Sequence, residues 1–189
     1  MRAGWVVLCV MLSGAVPLFA ADTPRFEAAG TYAFLHDTDR SETFPVGWAF
    51  AATGNVNSWF GIVAEVGGNY STCKNCQRGP FASQVLRGQD LHIRLLSYLG
   101  GPRIASHAAS FITPFAQVLF GGTHMSGGTE FDGALNTGFT YQPGAGIDVR
   151  VAPNVGLRLQ GDYRIIRTTG HNNKQSRFLA GIVLSRGSL

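Results

Sequence analysis

The stretch GTHMSGGTEF sets His124 and Ser126 two residues apart. On an extended chain that spacing puts both side chains on one side. A serine hydroxyl becomes a nucleophile when a neighbouring base takes its proton and a third group orients that base. Here the orienting carboxylate would have to come from Glu130 or Asp132, in the Gly-rich residues that follow. A His and a Ser at the end of a strand are equally ordinary polar residues at a rim. That is the reading adopted, so no catalytic residue is assigned and the pair is kept as an alternative. A second motif, STCKNCQRG, carries Cys73 and Cys76. One CxxC supplies two metal ligands where a structural site wants four, and no helix follows to activate a thiol. No metal or other cofactor is expected, and in an exported protein the pair suits a local disulfide.

The charged residues form a third group. In GAGIDVRVAPNVGLRLQGDYRIIR, residues 144 to 167, every second position of each half is apolar, and Asp148, Arg150, Arg158, Gln160, Asp162 and Arg164 alternate with them. Such period-two patterning reads as strands with one apolar and one polar face. Segments of this kind recur at about 26–35, 44–54, 58–70, 89–99, 110–122, 139–151, 155–167 and 176–185. The links after the second and sixth are short and carry Asn and Pro. Those after the first, third, fifth and seventh are longer and polar. The link after the fourth, GGPRIASHAAS, is longer than a tight turn needs, and the pattern assigns it no role.

Short turns on one rim and long loops on the other, with 25 glycines and many aromatics, are the pattern of an all-β, eight-stranded antiparallel up-and-down transmembrane β-barrel. The expected lipid face includes Val46, Trp48, Phe50, Ala52, Phe60, Ile62, Ala64 and Val66, then Leu91, Ile93 and Leu95. It continues through Ile147, Val149, Val151, Val155, Leu157, Leu159, Tyr163 and Ile165 to Phe178, Ala180, Ile182 and Leu184. The opposite parity holds Glu27, Glu65, His92, Arg94, Gln117, Asp148, Arg150, Arg158, Gln160, Asp162, Arg164 and Arg177, with Arg but no Lys. An arginine fork pairs with carboxylates at two points, which suits an enclosed site. A barrel of eight strands has room inside for side chains and none for a wide pore. The charged members Glu27, Glu65, Arg94, Asp148, Arg150, Arg158, Asp162, Arg164 and Arg177 are therefore expected to neutralise one another in the lumen; an ion pathway is the alternative. A soluble barrel carrying a ligand would want the reverse, with its apolar face inward. Trp48, Trp59, Tyr70, Tyr98 and Tyr163 are expected in the interfacial aromatic girdle.

The chain opens MRAGWVVLCVMLSGAVPLFAAD, a basic residue and then an apolar run ending in small residues, which reads as a secretory signal over residues 1–21 followed by a barrel domain over 22–189. Cys9 falls inside the apolar run. Fifteen Lys and Arg face 11 Asp and Glu, a net charge of +4, too slight and dispersed a surplus for nucleic acid. No later apolar run is long enough for a spanning helix, so insertion must use strands.

Residues 47–70 (GWAFAATGNVNSWFGIVAEVGGNY), residues 144–168 and the stretch PFAQVLFGGTH at 114–124 resemble the hairpins and fifth strand of the small OmpA/OmpX-like outer-membrane barrel family. The resemblance implies a monomeric, non-enzymatic protein of the outer membrane of a Gram-negative-type bacterium, inserted by the barrel-assembly machinery. It also implies contact with outer-membrane lipid and lipopolysaccharide, and roles in envelope integrity or surface contact. The chain departs from that family's habit of an aromatic last residue, since it ends SRGSL. The His124/Ser126 spacing is similar to the lipid-facing His-x-Ser pair of the lipid A deacylases, which would make a lipid-modifying hydrolase the alternative; a narrow pore is a third reading.

Overall fold

Alternating side chains carry the strands much further than the apolar runs alone suggest. A computed structural model describes residues 23–38, 42–73, 91–108, 111–127, 137–168 and 171–189, and contains nine strands. They are β1 (Pro24–Asp37), β2 (Glu42–Phe44), β3 (Val46–Asn55), β4 (Phe60–Cys73), β5 (Leu91–Ala105), β6 (Ile112–Gly127), β7 (Thr137–Ala152), β8 (Val155–Thr168) and β9 (His171–Ser188). All neighbours pair antiparallel in chain order, and β1 pairs with β9 from Pro24↔Ser188 to Asp37↔Gln175, so the sheet closes on itself. β2 and β3 act as one stave bent at Pro45, which has no N–H for the ladder. The Tyr32 hydroxyl donates to the Pro45 carbonyl at that bend. The result is an up-and-down barrel of eight staves. The expected signal segment lies outside the described residues.

One rim, the base, carries the tight turns. Asn57 Oδ1 accepts from the N–H groups of Trp59 (3.0 Å) and Phe60 (2.8 Å), an Asx turn that reverses β3 into β4. Pro153 and Asn154 make the two-residue turn from β7 to β8, with Ala152 opposite Val155. Both described chain ends lie at this rim, where Leu189 N–H donates to Thr23 O at 3.0 Å.

The structure corrects several strand limits. β5 runs to Ala105, taking in half of the unexplained GGPRIASHAAS link. β9 begins at His171, so most of the polar link expected after the seventh stave is strand. Staves of 14 to 18 residues exceed the roughly 9–11 that cross a bilayer core, and the surplus stands above the loop rim. There, ladder pairing rather than apolar content holds the hairpins, which is why the apolar runs end too soon.

The exterior is apolar. Phe26, Ile62, Tyr98, Leu159, Phe178 and Leu184 are each more than half exposed, and a continuous belt of this kind faces something other than water. The lumen is filled in layers. Above the base, Ala29, Ala51, Val63, Leu99, Leu119 and Val183 form one apolar ring. Nearer the loop rim Leu35, Phe44, Ile93, Leu95 and Ile166 form a second apolar plug, with Met125 packed against it.

The second plug corrects one face. Ile93 and Leu95, expected toward lipid, are buried inside, and Arg94, expected inside, is exposed on the exterior. The side chains of Leu91 and His92 lie outside the described set. The inversion has a physical reason: near the loop rim the interior is closed by apolar packing, while the exterior has left the hydrocarbon and can carry a guanidinium.

Candidate functional site

The chemistry of this molecule is concentrated in two ion clusters within the lumen, on opposite sides of the first apolar ring. In the base cluster, Asp148 on β7 stands directly opposite Arg158 on β8. Arg158 Nε donates to Asp148 Oδ1 at 2.7 Å and Nη2 to Oδ2 at 2.8 Å, a two-point pair. Arg103 on β5 reaches from the far wall, with Nη1 donating to Glu27 Oε2 and Nη2 to Asp148 Oδ2, both at 2.9 Å. Both guanidinium groups lie over the ring of Phe115, at 4.1 Å for Arg103 and 4.8 Å for Arg158, so the ring's negative face supports the cations on the side that holds no carboxylate. Asn55 Nδ2 donates to the other Glu27 oxygen at 2.9 Å. Two carboxylates and two guanidiniums leave this cluster neutral.

The middle cluster follows the same rule. Arg177 on β9 stands opposite Asp162 on β8. Its Nη2 donates to Glu65 Oε1 at 2.5 Å and to Asp162 Oδ2 at 2.7 Å, and its Nε to the same Asp162 oxygen at 3.0 Å. Gln160 Nε2 donates to Asp162 Oδ1 at 2.8 Å. Arg164 donates to Gln142 Oε1 at 2.8 Å and Ser97 Oγ at 3.2 Å, and Gln142 Nε2 turns back to Glu65 and Asp162. Charges taken from water are tolerated only when paired and hydrogen-bonded, and the forks and amides supply those partners.

Of the charged set expected in the lumen, Glu27, Glu65, Asp148, Arg158, Asp162, Arg164 and Arg177 are brought together in these clusters. Arg94 is not: it lies outside, 5.7 Å over the ring of its cross-strand partner Tyr70. Arg150 is not either. The β7–β8 ladder shifts register between Arg150 and Ala152, and Arg150 emerges exposed at the base, beside a small pocket shared with Glu27, His107 and Asp148.

Two members of the base cluster escaped the sequence. Arg103 and His107 lie in the GGPRIASHAAS link, and both are buried. His107 tucks under the base, its Nδ1 donating to Ser58 O at 2.9 Å and its Nε2 standing 3.9 Å from Glu27 Oε1. The signal was parity: counting by twos from Ser97 through Leu99 and Gly101 reaches Arg103.

His124 and Ser126 share the exterior face of β6, since Met125 between them packs against the interior plug and Thr123 and Leu119 below point inward. His124 Nδ1 meets Thr137 Oγ1 at 3.0 Å, so the neighbour placed to orient the imidazole is a hydroxyl. Every carboxylate with a described side chain faces the interior; Glu130 and Asp132 lie outside the described residues. Cys73 closes β4 and Cys76 lies beyond it, so that pairing also falls outside them. Among the described residues no group of three His, Cys, Asp or Glu is placed to hold a metal. Trp48, Trp59, Tyr70, Tyr98 and Tyr163 are all exposed on the exterior, with Trp48 Nε1 donating to the Tyr70 hydroxyl at 3.3 Å.

No protein-family model and no curated protein matches the sequence. Solved structures do match in fold. Neisserial surface protein A aligns with a TM-score of 0.63 at 15% identity, covering 85% of this chain and 95% of that one. The N-terminal β-barrel domain of OprF from Pseudomonas aeruginosa aligns at 0.53 and 8% identity, covering 84% and 97%. Ail, the attachment invasion locus protein of Yersinia pestis, solved with the heparin analogue sucrose octasulfate, aligns at 0.50 and 11% identity, covering 84% and 96%. Closure of eight antiparallel staves, an apolar exterior and these alignments establish that the chain has the fold of the small outer-membrane β-barrels, the fold that its OmpA/OmpX-like resemblance implies.

Proposed function

We propose that the protein is an integral outer-membrane barrel whose lumen is permanently shut and whose work is done at its loop rim, as a monomeric, non-enzymatic scaffold for envelope integrity or surface contact. The observation that carries this reading is the filled lumen: two neutral ion clusters with apolar layers between and above them inside an apolar wall. Function on such a scaffold resides in what the rims present. At the loop rim the exterior offers Arg94, Arg167 and Lys174, cations suited to the phosphates of lipopolysaccharide. Surface contact is also the kind of role that the names of Neisserial surface protein A and the attachment invasion locus protein Ail suggest.

The test has three arms. The mature protein refolded in detergent should run fast on a gel and shift on boiling, and the folded form should stay silent in planar bilayers. Solubility in plain buffer without a gel shift would overturn the membrane assignment, and discrete conductance steps would overturn the shut lumen. For the lipid-hydrolase alternative, Ser126→Ala and a full deletion should leave lipid A acylation unchanged; loss of an acyl chain in the wild type alone would establish the enzyme instead.

A further inference from the structure

The described charges are sorted by face. Glu27, Asp37, Glu65, Asp148 and Asp162 are all buried inside, whereas the exposed charges are Arg25, Arg94, Arg150, Arg167, Lys174 and Arg186. Three of these, Arg25, Arg150 and Arg186, stand at the base rim, where no described Asp or Glu side chain is exposed. Beside two of them the apolar wall is hollowed. An open groove of about 720 Å3 runs along β1, β3 and β9, within the roughly 300–1,000 Å3 of small-molecule sites. The small residues Ala28, Ala52 and Gly54 line it together with Phe26 and Leu184, and Arg186 and the β7–β8 turn complete the lining. A Cβ built on Gly54 would meet nothing within 4 Å, so the hollow results from missing side chains on the surface and is not filled by packing. Arg186 is paired across the β1–β9 seam with Phe26, and Arg25 stacks on that same ring at 5.9 Å from its centroid.

An apolar trough with cations at its base-rim end has the shape and charge of a lipid with one acyl chain in the trough and its phosphate at the guanidiniums. We propose that this groove is a binding site for an anionic glycerophospholipid of the periplasmic leaflet, with Arg25 and Arg186 holding the phosphate and the Ala28–Ala52–Gly54 lining seating an acyl chain. The proposal rests on the outer-membrane reading above, since the base rim then lies at the phospholipid leaflet.

The experiment uses the full mature barrel in nanodiscs of phosphatidylcholine doped with a minority of phosphatidylglycerol, with folding checked by the gel shift. Lipids retained on ejection are read by native mass spectrometry. The wild type should keep phosphatidylglycerol in preference to phosphatidylcholine. Arg25→Gln with Arg186→Gln should lower that preference by about fivefold per arginine removed. Gly54→Leu fills the trough without touching a charge and should lower it likewise, while Arg94→Gln at the other rim should leave most of it. A folded wild type with equal retention of the two lipids, or a preference that survives Gly54→Leu, overturns the site and leaves the barrel assignment standing. A dimer that excludes lipid from the groove overturns it too, because the occupant is then a second copy of the chain. Failure of the gel shift itself would instead remove the outer-membrane reading.

Discussion

Arg177→Met is the sharpest probe of the shut lumen. Arg177 is fully buried and is the salt-bridge partner of both Glu65 and Asp162, at 2.5 and 2.7 Å. Methionine keeps much of the stem but leaves two carboxylates facing each other in a site without water access. Breaking a buried ion pair from one side costs about 3–5 kcal/mol. With a urea dependence of about 1–3 kcal/mol per molar for a small protein, that is a fall in the unfolding midpoint of roughly 1–5 M. The second half of the prediction concerns sign. Adding Glu65→Gln to Arg177→Met removes one of the stranded charges, so the double variant should regain roughly half of the loss or more, although it has lost more native contacts. A further part concerns distance. The base cluster lies beyond the ring of Ala29, Ala51, Val63, Leu99, Leu119 and Val183, so Arg103→Met and Arg177→Met should add within about 0.5 kcal/mol. Urea titration of the refolded barrel, read by the fraction running as the fast band, measures all three. A single-variant loss under about 1 kcal/mol would mean that water reaches Arg177, and a double variant no better than Arg177→Met would mean that charge balance is not what the cluster provides.

Phe115→Leu removes the ring under both Arg103 and Arg158 and should cost about 2–4 kcal/mol in the same titration; a loss no larger than that of a surface leucine substitution would refute the stacking role. At Gly101 a Cβ would stand 2.0 Å from the Val118 carbonyl oxygen across the β5–β6 ladder, so Gly101→Ala should abolish the heat-modifiable band, and an unchanged band would show that the strands approach less closely there. His107→Ala removes the group that tucks Ser58 and Glu27 together at the base. It should expose the 106–108 segment to added protease without altering the gel shift, since no ladder bond depends on it; protection equal to wild type would refute its role as a tie.

How far the sequence reveals this molecule depends on where along a stave one reads. Between Asp148 and Arg164 the alternation is unbroken, and the cross-strand facing of Asp148 with Arg158 follows from the two-residue turn at Pro153 and Asn154. On the fourth stave it misleads. Ile93 and Leu95 are apolar and inside, and Arg94 is charged and outside, because parity states only that neighbours face opposite ways. Which way is which follows from the sequence only if lipid lies on the greasy side at every height. That assumption holds within the hydrocarbon and fails above it. The same limit hid Arg103: with the strand ended at Leu99, its side chain had no parity to inherit.

On the proposed reading of a shut lumen, the stratification accounts for how a narrow barrel holds the four carboxylates and four guanidiniums of its two clusters without becoming an ion path. An ion crossing the barrel would have to leave one neutral cluster, pass a ring of aliphatic side chains where the nearby Gln160 amide is already engaged with Asp162, and displace a guanidinium already held at two points. Each step asks for desolvation that a packed ring cannot repay. Because each cluster is neutral by itself, neither draws counterions through the wall, and the described surplus of positive charge is left on the exterior at the two rims. In a membrane whose headgroups carry phosphate, that is the side on which positive charge stabilises the embedded state. On the proposed function the same sorting anchors the barrel, and it predicts that exchanging a rim arginine for glutamate will weaken membrane retention while leaving the urea midpoint of the folded barrel nearly unmoved.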